Sequence, residues 1–219
     1  MVWASGMQQL TTLTGSEQVV CTNSSGVETY ASTNLLAGLD APTLFGSSTA
    51  SLLKEGNINV QTSSAGVSPG ATGADNVVAV YTLPYSAFDV AGRTLQIVAA
   101  GSFASNGHTK DIKIFAGCTA AVVGSTVSGG TAIADTGAVT TSGGGWQITA
   151  NVSKYGAAGS NTQIAIHSQA QVGAAVSALL APQLLTMTES AAIIIAITAN
   201  CTTTASDVVF NWLEVNAAN

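Results

Sequence analysis

The chain has 219 residues, of which 7% are charged, where an average soluble domain carries about 25%. Five basic residues, Lys54, Arg93, Lys110, Lys113 and Lys154, stand scattered against eleven acids for a net charge of −6. Duplex nucleic acid and anionic membrane surfaces need clustered cations, so neither is expected as a partner, and a surface this poor in charge suits a protein packed against copies of itself better than a freely diffusing enzyme.

At 21.7 kDa the length suits one good-sized core with a small appendage. The start MVWASGMQQL has neither a basic region nor a continuous apolar stretch, so the chain is expected to fold in the cytoplasm that makes it. The longest strongly apolar run, residues 191–197, falls far short of the roughly 20 residues of a spanning helix. Cys21, Cys118 and Cys201 lie far apart, outside any CxxC pair or metal-ligand spacing, and read as free buried thiols in a reducing compartment.

Residues 1–55 read as an N-terminal docking arm. Val2, Trp3, Met7, Leu10 and Leu13 are too apolar to be left in water and form the candidate anchor. Residues 17–21 and 27–30 are short extended pieces around the turn Asn23-Ser24-Ser25-Gly26, and Thr33 offers an N-cap oxygen to a turn of helix over 34–37 that Gly38 ends. Residues 56–76, which contain SSAGVSPGATGADN, are a linker or first edge strand, and residues 77–219 form the main domain.

From residue 77 the pattern has period two. Leu95, Ile97, Ala99, Gly101 and Phe103 share one strand face. Asn106-Gly107-His108 then reads as the turn of a hairpin whose return strand carries Ile112 and Ile114 on one face and Asp111 and Lys113 on the other. Residues 116–145 read as a long loop with one short strand. Trp146, Ile148, Ala150 and Val152 give the cleanest amphipathic strand. Residues 163–167 alternate with Ile164 and Ile166 together and His167 opposite. In 171–188, Val172, Val176, Leu179 and Leu180 fit helical spacing while Pro182 and the Thr-Met-Thr segment favour extended chain, and strand is the reading taken. The β-branched run 193–197 and the segment 208–215 have apolar residues on both faces, which predicts strands covered on both sides and, as a second cover, a threefold packing surface between copies of the chain.

Chemistry-bearing constellations are sparse. The histidines are His108 in the turn and His167 in a strand, both read as solvated or interface residues, and no GxSxG elbow exists. Asp75, Asp89, Asp135, Glu189 and Asp207 adjoin turns or strand ends, where capping and solubility explain them. No DxDxDG run suggests calcium, and TSGGGW lacks the lysine of a phosphate loop. No catalytic, metal or cofactor-binding residue is assigned. Trp146 reads as core, while Tyr81 and Tyr85 flank Pro84 as an exposed aromatic pair, the candidate contact for a glycan.

The stretches LTTLTGSEQVV and ETYASTNLLAGL, with Leu13, Thr14, Gly15, Glu17, Val19, Val20, Thr33, Leu36 and Leu39, resemble a small module near the N-terminus of tailed-bacteriophage fibre and decoration proteins. Residues 74–117 are similar to the start of a phage virion β-sandwich, running from a Thr-Leu-Pro strand end through a Gly-Arg turn into an Ala-Gly-x-Phe-Ala strand and a Lys-x-Ile-x-Phe return. The end DVVFNWLEVN resembles the closing strand of such domains. The resemblance implies an all-β protein, an antiparallel jelly-roll-like β-sandwich with a small N-terminal docking module containing a short helix, assembled as a homotrimer on a virion. The chain lacks the long repetitive shaft of a tail fibre, so the expected function is a non-enzymatic capsid-decoration (cement) or head-fibre protein with a capsid or other virion protein as partner. The alternative is a tail-fibre receptor-binding protein that recognises a host-surface glycan.

Overall fold

In the computed structural model, which describes residues 18–22, 28–32, 56–70, 72–88, 90–178, 180 and 182–218, the period-two segments are strands. Contacts divide the chain into two units, residues 1–48 and 49–219. In the first, β1 (Gln18–Thr22) and β2 (Glu28–Ser32) pair antiparallel with Cys21 opposite Thr29, as the extended pieces around the turn require. The five anchor candidates Val2, Trp3, Met7, Leu10 and Leu13, and the Thr33-led helical turn, lie outside the described residues.

The second unit carries β3 (Gly56–Val67), β4 (Asn76–Leu83), β5 (Thr94–Phe103), β6 (Lys110–Ala120), β7 (Ser128–Asp135), β8 (Gly145–Lys154), β9 (Gln163–Val172), β10 (Ala175–Ala178), β11 (Gln183–Leu185), β12 (Ile193–Cys201) and β13 (Val208–Ala218). One sheet has the order β10-β9-β8-β5-β13-β3, with β11 also pairing β9, and the other has the order β4-β12-β6-β7. The nested antiparallel pairs β3·β13, β4·β12, β5·β8 and β6·β7 therefore alternate between sheets. That is one long hairpin rolled up on itself, the jelly-roll arrangement, with β9–β11 added at the β8 edge. The inner faces meet in one core, where Leu95, Ile97, Ile112, Ile114, Ile148 and Leu213 are fully buried, each contributing roughly 1.5–3 kcal/mol.

Three local expectations are corrected. β5 and β6 do not form a hairpin: they lie in different sheets, and residues 104–109 carry the chain from one layer to the other. Turn residues between two alternating runs look the same in sequence whether the second strand returns beside the first or crosses over. The second correction concerns β13, which is covered on one face, because a bulge between Phe210 and Trp212 shifts its phase. Val208 and Phe210 face the core before the bulge, Leu213, Val215 and Ala217 after it, and an added residue moves every later side chain to the other face. Gly101 faces this bulge. A Cβ there would enter the shell of the Val209 carbonyl oxygen and lie 2.7 Å from the Trp146 ring. Third, a bulge in the β8·β9 pairing between Asn151 and Val152 leaves both Ile166 and His167 exposed, while Gln163, Ala165 and Ser168 are buried.

β12 is covered on both sides, as its sequence requires. Ile193, Ile195 and Ile197 join the main core, whereas Ala196 packs with Val77 and Cys118 in a second cluster against Phe115, Ala121, Val127 and Ile194. The chain supplies this cover itself, so β12 is not the open apolar surface expected for threefold packing. The loop after β6 is held over β4 by hydrogen bonds from Val77 N to Ser125 O (2.9 Å), Gly124 N to Val77 O (2.8 Å) and Val127 N to Asp75 O (3.0 Å).

The outer face of the seven-stranded sheet follows from register. Residues paired across strands point the same way, so Thr62, Trp212, Ala100, Gln147 and Gln171 form one row. Val60, Glu214, Val98, Thr149 and Gln169 form the next, and Asn216, Gln96, Asn151 and His167 a third. Among the described residues this face holds a single carboxylate, Glu214, and no lysine or arginine.

Candidate functional site

Tyr81 and Tyr85 do not form the expected exposed pair. Tyr85, in the turn after Pro84, is 67% exposed, but Tyr81, in β4, packs against the main core, and burial pushes its hydroxyl pKa up. A β-strand position three residues before the turn still belongs to the sheet, and its side chain closes the sandwich edge. Trp146 is core, with its ring centroid 6.4 Å from that of Phe103.

The chemistry-bearing side chains gather at three places. At one end of the sandwich Lys154, closing β8, makes an ion pair with Glu189, and both side chains are fully buried. Lys154 Nζ also donates to Ser160 Oγ (2.8 Å) and Thr162 Oγ1 (3.2 Å). Gln163 Nε2 donates to Glu189 Oε1 and to Met187 O (3.1 Å), and its Oε1 accepts from Met187 N (2.8 Å). The group ties together the end of β8, the start of β9 and the segment after β11. Glu189 Oε2 has no partner.

At the crossover between β5 and β6, Lys110 is fully buried. Its ammonium donates to Asn106 O, Asn106 Oδ1 and His108 O (each 3.0 Å) and to Thr141 O (3.3 Å), and it lies 5.7 Å from the Phe103 ring centroid. Asn106 Nδ2 donates to Asp207 Oδ1 (2.6 Å), and His108 Nδ1 lies 2.8 Å from Asp207 Oδ2. Burial pushes the Asp207 pKa up, but the bonds from Asn106 and His108 prevail and hold it below the ordinary carboxylate value. His108 is thus not a free turn residue, although its side chain is 40% exposed. An Asp–His couple orients an imidazole, yet among the described residues no serine, threonine or cysteine side chain is hydrogen-bonded to either histidine. The arrangement fixes the crossover and brings no nucleophile to the ring.

The third place is the outer face of the four-stranded sheet. Lys113 Nζ lies 3.0 Å from Asp75, 3.3 Å from Asp111 and 3.8 Å from Asp135. Burial first, then the neighbouring Asp135, push the Asp111 pKa up to about 6. Burial works against the Lys113 ammonium, but the carboxylates around it raise its pKa overall. Among the described residues no group of three His, Cys, Asp or Glu side chains is arranged to hold a metal ion.

Arg93 is also buried, donating from Nη1 to Ala87 O at 2.7 Å. Hence all four described cations, Arg93, Lys110, Lys113 and Lys154, serve internal partners, and Lys54 lies outside the described residues. The free thiols Cys118 and Cys201 are buried, and burial pushes each to about 11. Sequence reasoning missed the buried roles of Glu189, Asp207, Lys110 and Lys154, although parity was available as a signal. Lys154 continues the core-facing series from Trp146 to Val152, Lys110 precedes Ile112 and Ile114, and Arg93 precedes Leu95 and Ile97.

Fold and side chains together define a jelly-roll β-sandwich whose described lysines and arginine are all engaged by partners within the chain. In comparisons with known proteins, no family model matches the chain and no curated protein matches it.

Proposed function

We propose that the chain is a non-enzymatic structural subunit on the exterior of a tailed-phage virion, a capsid-decoration or head-fibre protein that works as a homotrimer and is anchored by its N-terminal segment. The observation that carries the reading is the placement of charge: every described cation is engaged within the chain, Arg93, Lys110 and Lys154 buried and Lys113 among three aspartates on the outer face of the four-stranded sheet, so the rest of the described sandwich surface offers mainly amides, hydroxyls and small apolar groups. Such a surface cannot displace counterions from nucleic acid and packs against protein without desolvating charge. The jelly-roll strand order agrees with the virion resemblance, and a fold by itself leaves function open. A glycan-binding role loses half of its aromatic pair, since Tyr81 is packed and only Tyr85 stands out.

Attachment of truncated protein to particles tests the reading. A chain starting at Ala41 retains the sandwich and is expected to keep β-type circular dichroism while failing to decorate particles that lack the wild-type protein, because the apolar side chains of Val2, Trp3, Met7, Leu10 and Leu13 are gone. Binding equal to that of the full chain would contradict the N-terminal anchor.

A further inference from the structure

We infer that a second copy of this chain covers the outer face of the seven-stranded sheet, with Trp212 as its anchor. The inference rests on the homotrimer reading and adds the surface that carries it. A self-contact brings the groups of a face close to their own copies, so a charged face repels itself. The sandwich keeps its described carboxylates off this face: Asp75, Asp111 and Asp135 surround Lys113 on the other sheet, and Glu189 and Asp207 are buried. Glu214 alone remains, and it accepts from Asn57 and Asn216 amides.

What the face presents instead is self-complementary. Gln and Asn amides both donate and accept, so rows containing Gln147, Gln171, Gln169 and Gln96 satisfy one another across a contact. Trp212, 38% exposed, shares its row with a groove of about 270 Å³ lined by Ala100, Gly145, Trp146, Gln147, Gln171 and Gly173. A bulky ring and a recess on one face suit a head-to-tail contact that closes into a ring of copies. Six strands about 4.8 Å apart, paired over roughly nine residues of 3.3 Å, give a face on the order of 800 Å², so three copies turned together would enclose roughly 2,400 Å², divided among three contacts.

The test is the mass of the intact chain by light scattering at micromolar concentration. The wild-type chain should run as an oligomer. The triple variant Gln96→Glu/Gln147→Glu/Gln169→Glu, isosteric and exposed, should dissociate to a 21.7-kDa species with unchanged circular dichroism, and Trp212→Ala should raise the dissociation constant at least tenfold. Val122→Glu, on the loop over the other sheet, should remain an oligomer. If the wild type assembles but the triple variant assembles equally well, this face is not the interface and the homotrimer reading survives. A wild-type chain that stays monomeric overturns both and leaves the face to a different virion protein.

Discussion

The two outer faces of the sandwich are built on opposite plans. The four-stranded sheet covers its own back, with the loop of residues 121–127 lying over Val77, Cys118 and Ala196 and Lys113 set among three aspartates. The seven-stranded sheet leaves rows of Gln, Asn, Thr and small apolar side chains open. One face is finished within the chain, and the described residues of the other are left open. The difference teaches that scarcity of charge is not spread evenly: the few ions are concentrated where the chain must close on itself, which leaves Glu214 as the one charge among the described residues of the larger face.

The strongest way to break that comparison is at the end of β8, where Lys154 is absorbed. Glu189→Gln or Lys154→Met leaves one buried ion unpaired and should destabilise the fold by about 3–5 kcal/mol, measured by urea denaturation. The double variant Lys154→Met/Glu189→Met should recover most of the loss, whereas additive losses would show that the pair is not coupled. Gly101→Ala, on the seven-stranded sheet, forces a Cβ against the Val209 carbonyl and Trp146 and should lower stability by about 1–3 kcal/mol. An unchanged midpoint would mean that the β13 bulge does not press on β5.

On the charged face, Asp111 sharpens the contrast. Its folded pKa of about 6 lies above the ordinary aspartate value of 3.8, so the folded state binds the proton more tightly between those values. Its ionisation therefore weakens folding above pH 6, and this penalty disappears as pH falls toward 4. Asp111→Asn should accordingly stabilise the protein by about 1–2 kcal/mol at pH 7.5 and have little effect near pH 4. A gain at acid pH only would reverse the assignment. The smallest effect is kinetic: with thiol pKa values near 11, Cys118 and Cys201 should resist alkylation at pH 8 in the native protein and react after unfolding, as followed by mass spectrometry.

Much of this was legible in the sequence where one residue sufficed to mark a face. Alternation at 95–103 and 146–152 identified core strands, and the run at 193–197 correctly announced double cover. What escaped was relational. The β5–β6 crossover mimics a hairpin because Asn106-Gly107-His108 permits either path, and only the partner strands decide. Bulges at 210–212 and 165–167 shift phase by one residue without a compositional mark. Glu189 and Asp207 sit beside turns, as solubility residues do, and only their distant partners, Lys154 and Asn106 with His108, make them internal.

The most direct test of the structural role is a cryo-EM reconstruction of the intact particle. The account predicts threefold density on the virion exterior, fitted by three copies of the sandwich with the outer faces of their seven-stranded sheets turned toward one another and the N-terminal segment entering the shell or another virion protein. Purified particles without this chain, or a single copy standing alone with that face in solvent, would contradict it.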